Sequence, residues 1–158
     1  MRPTAAHRPP RLGPRPGVSL PALVGLAALG VPRVVAHDLG VGGDASSAVL
    51  AIGPFAVWLV VLVRLRRGSV IGTALALGGL YGLALAVTHQ ILWEEAFDGR
   101  EPRLGDRLAD LPDWAHAAIT RGAGFASSIA TGLAIGAVLG AVATVVRKRS
   151  NGRPVARR

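Results

Sequence analysis

Four apolar segments dominate the sequence, and each is long enough to cross a lipid bilayer as a helix. They cover residues 18–36, 47–63, 70–93 and 122–146. A helix rises about 1.5 Å per residue, so a hydrocarbon core about 30 Å thick needs roughly 20 mainly apolar residues. The chain of 158 residues is 51% hydrophobic and 17% charged, with a mean hydropathy of +0.44. We therefore predict an all-α integral membrane protein, a four-transmembrane-helix bundle.

The charged residues divide between the two ends of these segments. Thirteen basic residues and no acid lie in 1–17, 64–67 and 147–158, whereas all nine acidic residues lie in 37–46 or 94–115. Cytoplasmic flanks of membrane proteins collect Arg and Lys. We therefore expect a transmembrane domain over 18–146 in a bacterial cytoplasmic membrane, with both termini inside and the loop 94–115 outside.

The first segment has an alternative interpretation as a cleaved signal peptide. It combines an Arg-bearing start, an apolar run and the small-residue sequence Val34-Val35-Ala36. Arg33 stands directly before that sequence, and the apolar run is longer than a usual signal core, so we favour a retained span. Cleavage would leave three spans with the same orientation.

The two basic tails are expected to lie on the cytoplasmic membrane surface. The tail 1–17 contains five prolines and four arginines, a composition that predicts disorder. The tail 147–158 has a similar composition. A basic side chain near anionic headgroups contributes about 1 kcal/mol of binding, so such lipids are the expected partners. Neither tail has an aromatic residue to stack on a base, which argues against nucleic acid.

A row of small residues recurs every four positions through the fourth segment. It comprises Gly124, Ser128, Gly132, Gly136, Gly140 and Thr144, and the third segment has a matching pair, Gly78 and Gly82. Small residues at this spacing let two helix backbones approach closely. We predict that they pack the helices together, and a homo-oligomer or another membrane protein is the further partner that such a surface would suit. A glycine-rich composition by itself is the alternative explanation.

The few aromatic residues have distinctive positions. Trp58 and Tyr81 lie near the middle of the second and third segments, where we expect them to meet in a packed core. Trp93 and Trp114 fall at the outer boundary, where indole rings are favoured.

Imidazole and carboxylate groups collect at the outer face of the predicted bundle. The candidates for a divalent metal or proton site are His37, Asp38, His89, Glu94 and His116. A haem held by His37 and His89 is a further alternative. No two histidines have the i, i+4 spacing of an HExxH site, so we favour helix-end capping and expect no cofactor.

Arg33 is the one charge that span length places within the outer leaflet. Residues 18–32 number only 15, which is about 22 Å of helix, so the span must extend past Arg33. Asp38 lies about 140° around the helix from Arg33. We therefore predict that Arg33 pairs with Glu94, at the end of the third segment.

The sequence contains no Walker loop, no HExxH and no GxSxG, and so identifies no enzyme. It also has no cysteine, which excludes disulfides and thiolate metal sites. The favoured interpretation is a small membrane protein with a structural or accessory role. An ion-, proton- or cofactor-handling protein that uses the outer polar cluster is the alternative.

Reporter fusions test the predicted topology directly. Fusions after Arg67 and after Arg149 are expected to report a cytoplasmic position, and a fusion at Gly105 an external one, because basic flanks stay inside. A cytoplasmic signal at Gly105 would contradict the span assignment. An N-terminal tag followed on a gel distinguishes a retained first span from a cleaved one.

Overall fold

The structure is a computed structural model that describes residues 17–41, 43–100 and 102–151. These ranges are helical and contain no strand. The helices are α1 (Leu20–Ala28), α2 (Val31–Asp38), α3 (Asp44–Arg64), α4 (Val70–Ile91), α5 (Trp93–Ala96), a 3-10 turn (Asp106–Leu108) and α6 (Asp113–Asn151). Four segments are long and apolar enough to cross a membrane: Leu20–Asp38, Ser46–Arg64, Val70–Ile91 and Asp113–Ser150. The predicted all-helical class with four such segments is confirmed.

The first apolar segment consists of two helices rather than one. α1 ends at Ala28 and α2 begins at Val31, with a turn at Leu29 and Gly30 between them. Pro32 accounts for the break, because proline has no N–H for the carbonyl four residues earlier and its ring crowds that carbonyl. Gly30 lies against the ring of Tyr81, which leaves no room for a Cβ. The break is therefore held at a fixed position against α4.

α4 and α6 run antiparallel and form the most extensive helix contact among the described elements. The backbone of Gly78 lies against Gly132 and Gly136, and that of Gly82 against Gly132. A Cβ at any of these four glycines would collide with the opposite helix. Two helices approach this closely only where both lack side chains.

The remainder of the small-residue row makes other contacts along α6. Gly140 packs on Ala74 and Ile71, near the start of α4. Gly124, towards the other end, faces the ring of Trp93. The row therefore meets backbone in the middle of the bundle and a large side chain at one end.

An aromatic cluster joins α1, α3 and α4. The ring centroids of Trp58 and Tyr81 are 5.2 Å apart, and Phe55 packs edge-on against both rings. The Trp58 indole N–H donates to the carbonyl oxygen of Leu26 at 2.8 Å. The predicted meeting of Trp58 and Tyr81 is confirmed.

The bundle has two distinct ends. At one, the N–H of Gly17 donates to Thr73 Oγ1 at 2.9 Å, close to the connector between α3 and α4. α6 also ends here, because it runs antiparallel to α4. The opposite end holds the described part of the connector after α2 and residues 92–100 and 102–112, and is called the loop end below.

α6 differs most from the predicted fourth segment. It has 39 residues, about 58 Å of helix, which exceeds a hydrocarbon core about 30 Å thick. It begins at Asp113 rather than at 122, and it continues to Asn151, within the predicted tail 147–158. The rest of the predicted tails, 1–16 and 152–158, lies outside the described residues.

Two alanine substitutions in α6 test the backbone contact. Gly132→Ala places a Cβ against the carbonyl oxygen of Gly78 and the backbone of Gly82, so we expect a loss of about 1–3 kcal/mol from overpacking. Gly122→Ala is the matched control, since no atom lies within 4 Å of its added Cβ and alanine favours helix by about 1 kcal/mol. Thermal unfolding in detergent compares them. Equal stability of the two variants would contradict the contact.

Candidate functional site

A hydrogen-bonded acid and imidazole join α2 to α4 at the loop end. Asp38 is the last residue of α2, and its side chain is 3% exposed. Its Oδ2 lies 2.7 Å from Nδ1 of His89, whose side chain is 33% exposed. An ionised carboxylate only accepts hydrogen bonds, so in this pair Nδ1 carries the proton. In the neutral imidazole, Nε2 is then an acceptor.

Asp38 and His89 line a cavity of about 770 Å³, called the loop-end cleft below. It is bounded by the ends of α2 and α4, by α5 with Phe97, Pro102 and Leu104, and by the part of α6 from Ile119 to Ser128. Ligand pockets for small molecules have volumes of about 300–1,000 Å³. The cleft is therefore large enough for an organic molecule.

Hydroxyl groups of α6 contribute the polar surface opposite the acid–imidazole pair. Thr120 Oγ1 donates to the carbonyl oxygen of His116 at 2.9 Å, and Ser128 Oγ donates to that of Gly124 at 2.9 Å. Ser127 also lines the cleft and is exposed. The protons of Thr120 and Ser128 are thus committed to backbone, and their oxygens are left to accept.

Trp93 is buried in the wall of the cleft. It is 6% exposed and packs on Phe97 at 4.8 Å between ring centroids. A Cβ added at Gly124 would lie 3.4 Å from the indole, and the guanidinium carbon of Arg121 is 5.0 Å from the indole centroid. Trp114, in contrast, is 74% exposed. These two tryptophans, both expected at one boundary, differ in exposure because Phe97 and the α6 residues Arg121 and Gly124 cover the ring of Trp93.

His116 connects the loop to α6. It is 3% exposed, and its Nδ1 accepts a hydrogen bond from the N–H of Leu104 at 3.0 Å. Leu104 in turn lines the cleft. The bond holds this part of the loop against the helix. In the described chain, His116 Nε2 and Trp93 Nε1 are sealed from solvent and have no hydrogen-bond partner.

A second cavity of about 690 Å³, the acidic pocket, adjoins the cleft. It shares His37, Asp38 and Ala96 with the cleft, and it adds three carboxylates, those of Glu94, Glu95 and Asp98. Neither lining includes Lys or Arg. The acidic pocket therefore presents a negatively charged surface at the loop end, and it shares the Asp38 carboxylate with the cleft.

The structure brings three of the five candidate metal ligands, His37, Asp38 and His89, to the loop-end cleft, where Asp38 and His89 are hydrogen-bonded to each other. His37 is exposed there, Glu94 is an exposed residue of the acidic pocket, and His116 is engaged with Leu104. In the described ranges, no group of three His, Asp or Glu side chains could hold a metal ion. The haem alternative with His37 stays a prediction.

Arg33 and Glu94 are not brought together. Arg33 is exposed and lines a cavity of about 70 Å³ with Val41 and Ser47, on the side of α2 that faces α3. Glu94 belongs to α5 and lines the acidic pocket, on a different side of α2 from Arg33. Among the described residues, Asp38 forms an acid–imidazole pair with His89, and Arg103 forms an ion pair with Asp113. The carboxylate of the first span thus faces α4, while its arginine faces α3.

The contribution of α6 to the cleft was missed in the sequence. Thr120, Gly124, Ser127 and Ser128 follow one another at helical spacing, so they share a face of any helix that includes them. Because the predicted span begins at 122, Thr120 lies outside it. Pro112 followed by an acid is typical of a helix N-terminus and places the start of the helix before Thr120.

No protein-family model, no curated protein and no solved structure matches this chain. The function is therefore argued from the geometry of the loop-end cleft.

Three variants test the buried pair. His89→Ala leaves the Asp38 carboxylate buried without its donor, and we expect a loss of about 1–3 kcal/mol in unfolding free energy. Adding Asp38→Asn is expected to restore part of this loss, because a neutral amide is cheaper to bury than a carboxylate. His37→Ala is the control, since that exposed neighbour makes no such bond. A double variant that recovers none of the stability lost in His89→Ala would show that the two side chains do not interact.

Proposed function

We propose that the protein is a multi-pass protein of the bacterial cytoplasmic membrane that binds a small polar ligand in the loop-end cleft. The observation that carries the proposal is the pair of buried Asp38 and partly exposed His89 in the wall of a cavity of ligand size. The proposal develops the ion- or proton-handling alternative into a site with named walls.

The surface of the helices supports insertion in a membrane. Large apolar side chains are exposed on different helices, among them Val49 at 69%, Ile91 at 72% and Val138 at 62%. Water-soluble proteins rarely expose extended apolar surface of this kind. Lipid would cover these faces at no cost.

The charges support an orientation with both termini in the cytoplasm. Arg64, Arg66 and Arg67 are exposed at the end of the bundle where α6 also finishes. The loop end carries the described carboxylates instead. Under the positive-inside rule the cleft then faces the outside, and the exposed arginines lie where anionic headgroups are available.

The chemistry of the pair favours a binding role over a purely structural one. An ionisable group at the end of an apolar span is costly, and such groups usually mark a functional site. A buried ion pair adds little net stability compared with apolar residues of similar size. Here both members line the same cavity, together with Thr120, Ser127 and Ser128.

The accessory-subunit role receives less support from the packing. That role is favoured by a glycine-rich packing surface together with the absence of a catalytic motif in the sequence. The central glycines of that surface, Gly132 and Gly136, are buried against Gly78 and Gly82 of the same chain. The row therefore serves the bundle itself.

Cysteine labelling tests the proposal, because the chain has no cysteine of its own. Ser127 lines the cleft, and Val138 lies further along α6 with 62% of its surface exposed. With a membrane-impermeant charged maleimide, we expect Ser127→Cys to react in spheroplasts. Val138→Cys is expected to stay unreactive until detergent is added, because lipid would cover it.

Each arm of this experiment has a contradicting outcome. A Ser127→Cys that reacts only in inverted vesicles would reverse the orientation. A Ser127→Cys that reacts in neither preparation before denaturation would show that the cleft is closed to aqueous ligands. Rapid reaction of Val138→Cys would contradict insertion.

A further inference from the structure

We propose that the ligand of the loop-end cleft is an organic ammonium ion, a primary or secondary amine that carries an apolar group. This inference rests on the proposed function and adds the chemical class of the ligand. Four features of the cleft support it.

The first feature is the incomplete hydrogen bonding of Asp38. Its carboxylate accepts one bond, at Oδ2 from His89. Among the described residues, no donor reaches Oδ1. An ionised carboxylate has about four lone-pair positions, and this one belongs to a side chain that is 3% exposed. A donor from a ligand in the cleft would complete its bonding.

The second feature is that Thr120, Ser128 and His89 offer acceptors to the cleft, which His37 also lines as an exposed residue. The hydroxyl protons of Thr120 and Ser128 are directed to backbone carbonyls. Nε2 of His89 is an acceptor when the imidazole is neutral, since Nδ1 then donates to Asp38. The Ser127 hydroxyl serves either role, and the indole N–H of Trp93 is sealed from solvent. The complement of these walls is a molecule with several N–H donors.

The third feature is the sign of the charge around the cleft. The acidic pocket adds Glu94, Glu95 and Asp98 next to Asp38, and the linings of both cavities lack Lys and Arg. The neighbouring Arg103 forms an ion pair with Asp113 at 2.9 Å, and the guanidinium group of Arg121 lies over the ring of Trp93. Cavities lined by one sign of charge concentrate the opposite ion. The loop end therefore attracts cations.

The fourth feature separates an organic cation from a metal ion. No group of three potential ligand side chains is available in the described chain, whereas zinc and calcium sites take at least that many protein ligands. The cleft instead offers the apolar surfaces of Phe97, Ile119 and Ala123 beside its polar groups. An amine with an apolar substituent uses both kinds of surface.

Protection of Ser127→Cys from maleimide measures binding with three probes of similar size: 2-phenylethylammonium, 3-phenylpropanol and 3-phenylpropanoate. We expect the ammonium to slow labelling at about 10 mM, above the millimolar Kd of a weakly held small ligand. The alcohol should protect less, and the carboxylate least. This comparison uses one variant throughout, so it does not depend on the folding of a second one.

Asp38→Asn in the Ser127→Cys background tests the anchoring group. Loss of a charge-assisted hydrogen bond is expected to raise the apparent Kd for 2-phenylethylammonium about tenfold or more. Glu95→Gln is the matched control, because Glu95 lines the acidic pocket but not the cleft. Its smaller effect should disappear in 1 M salt, as expected for a screened charge.

The outcomes separate this inference from the proposed function. The amine inference is overturned if 3-phenylpropanoate protects as well as 2-phenylethylammonium. It is also overturned if 2-phenylethylammonium gives no protection at 10 mM while Ser127→Cys still reacts. In both cases the cleft is still accessible to solvent, so the proposed function stands. An unchanged Kd in Asp38→Asn also overturns the amine inference. If Ser127→Cys fails to react at all, the proposed function fails first.

Discussion

The close contact of two helix backbones is the constraint on which the rest of this structure depends. Gly78 and Gly82 of α4 meet Gly132 and Gly136 of α6 with no side chain between them. Because backbones in direct contact at glycines leave no room for a side chain or a shift along the axis, this contact sets both the separation and the register of the two antiparallel helices. Helices are stiff, so this register determines which residues face each other further along. At the loop end it brings the end of α4 opposite the stretch from Thr120 to Ser128.

The same row of small residues serves a second purpose where the helices reach the loop end. Gly124 lies against the indole of Trp93 instead of a backbone. The ring occupies space that α4 fills at the level of Gly132, and it is itself covered by Phe97 and Arg121. Between Gly132 and Gly124, which are about two turns of α6 apart, direct backbone contact is replaced by a gap that the Trp93 ring partly fills. The loop-end cleft lies in the part that stays open.

The broken first span explains how a carboxylate comes to line this opening. Pro32 interrupts the helix, Gly30 rests on Tyr81, and α2 then packs against α4 with Asp38 facing His89. Arg33 lies on another side of α2, as a separation of about 140° requires. The Asp38 side chain is 3% exposed and has one oxygen bonded to His89, so it retains acceptor capacity for a further donor. This is the condition in which a donor-bearing cation gains most from binding.

The amino-acid sequence by itself determined the apolar helices and the distribution of charge between their ends. Four apolar segments, the division of basic and acidic flanks, and the mid-span positions of Trp58 and Tyr81 follow from composition and local spacing, which need no knowledge of neighbours. The apolar run does not mark the full length of its helix, because polar residues extend it at both ends. α6 therefore begins at Asp113, before the predicted span. Only the tertiary structure decided that Asp38 bonds His89, that Arg33 and Glu94 stay apart, and that Trp93 opens a cleft beside Gly124. These outcomes depend on the rotation of each helix about its axis, which contacts between distant residues set and spacing along the chain does not.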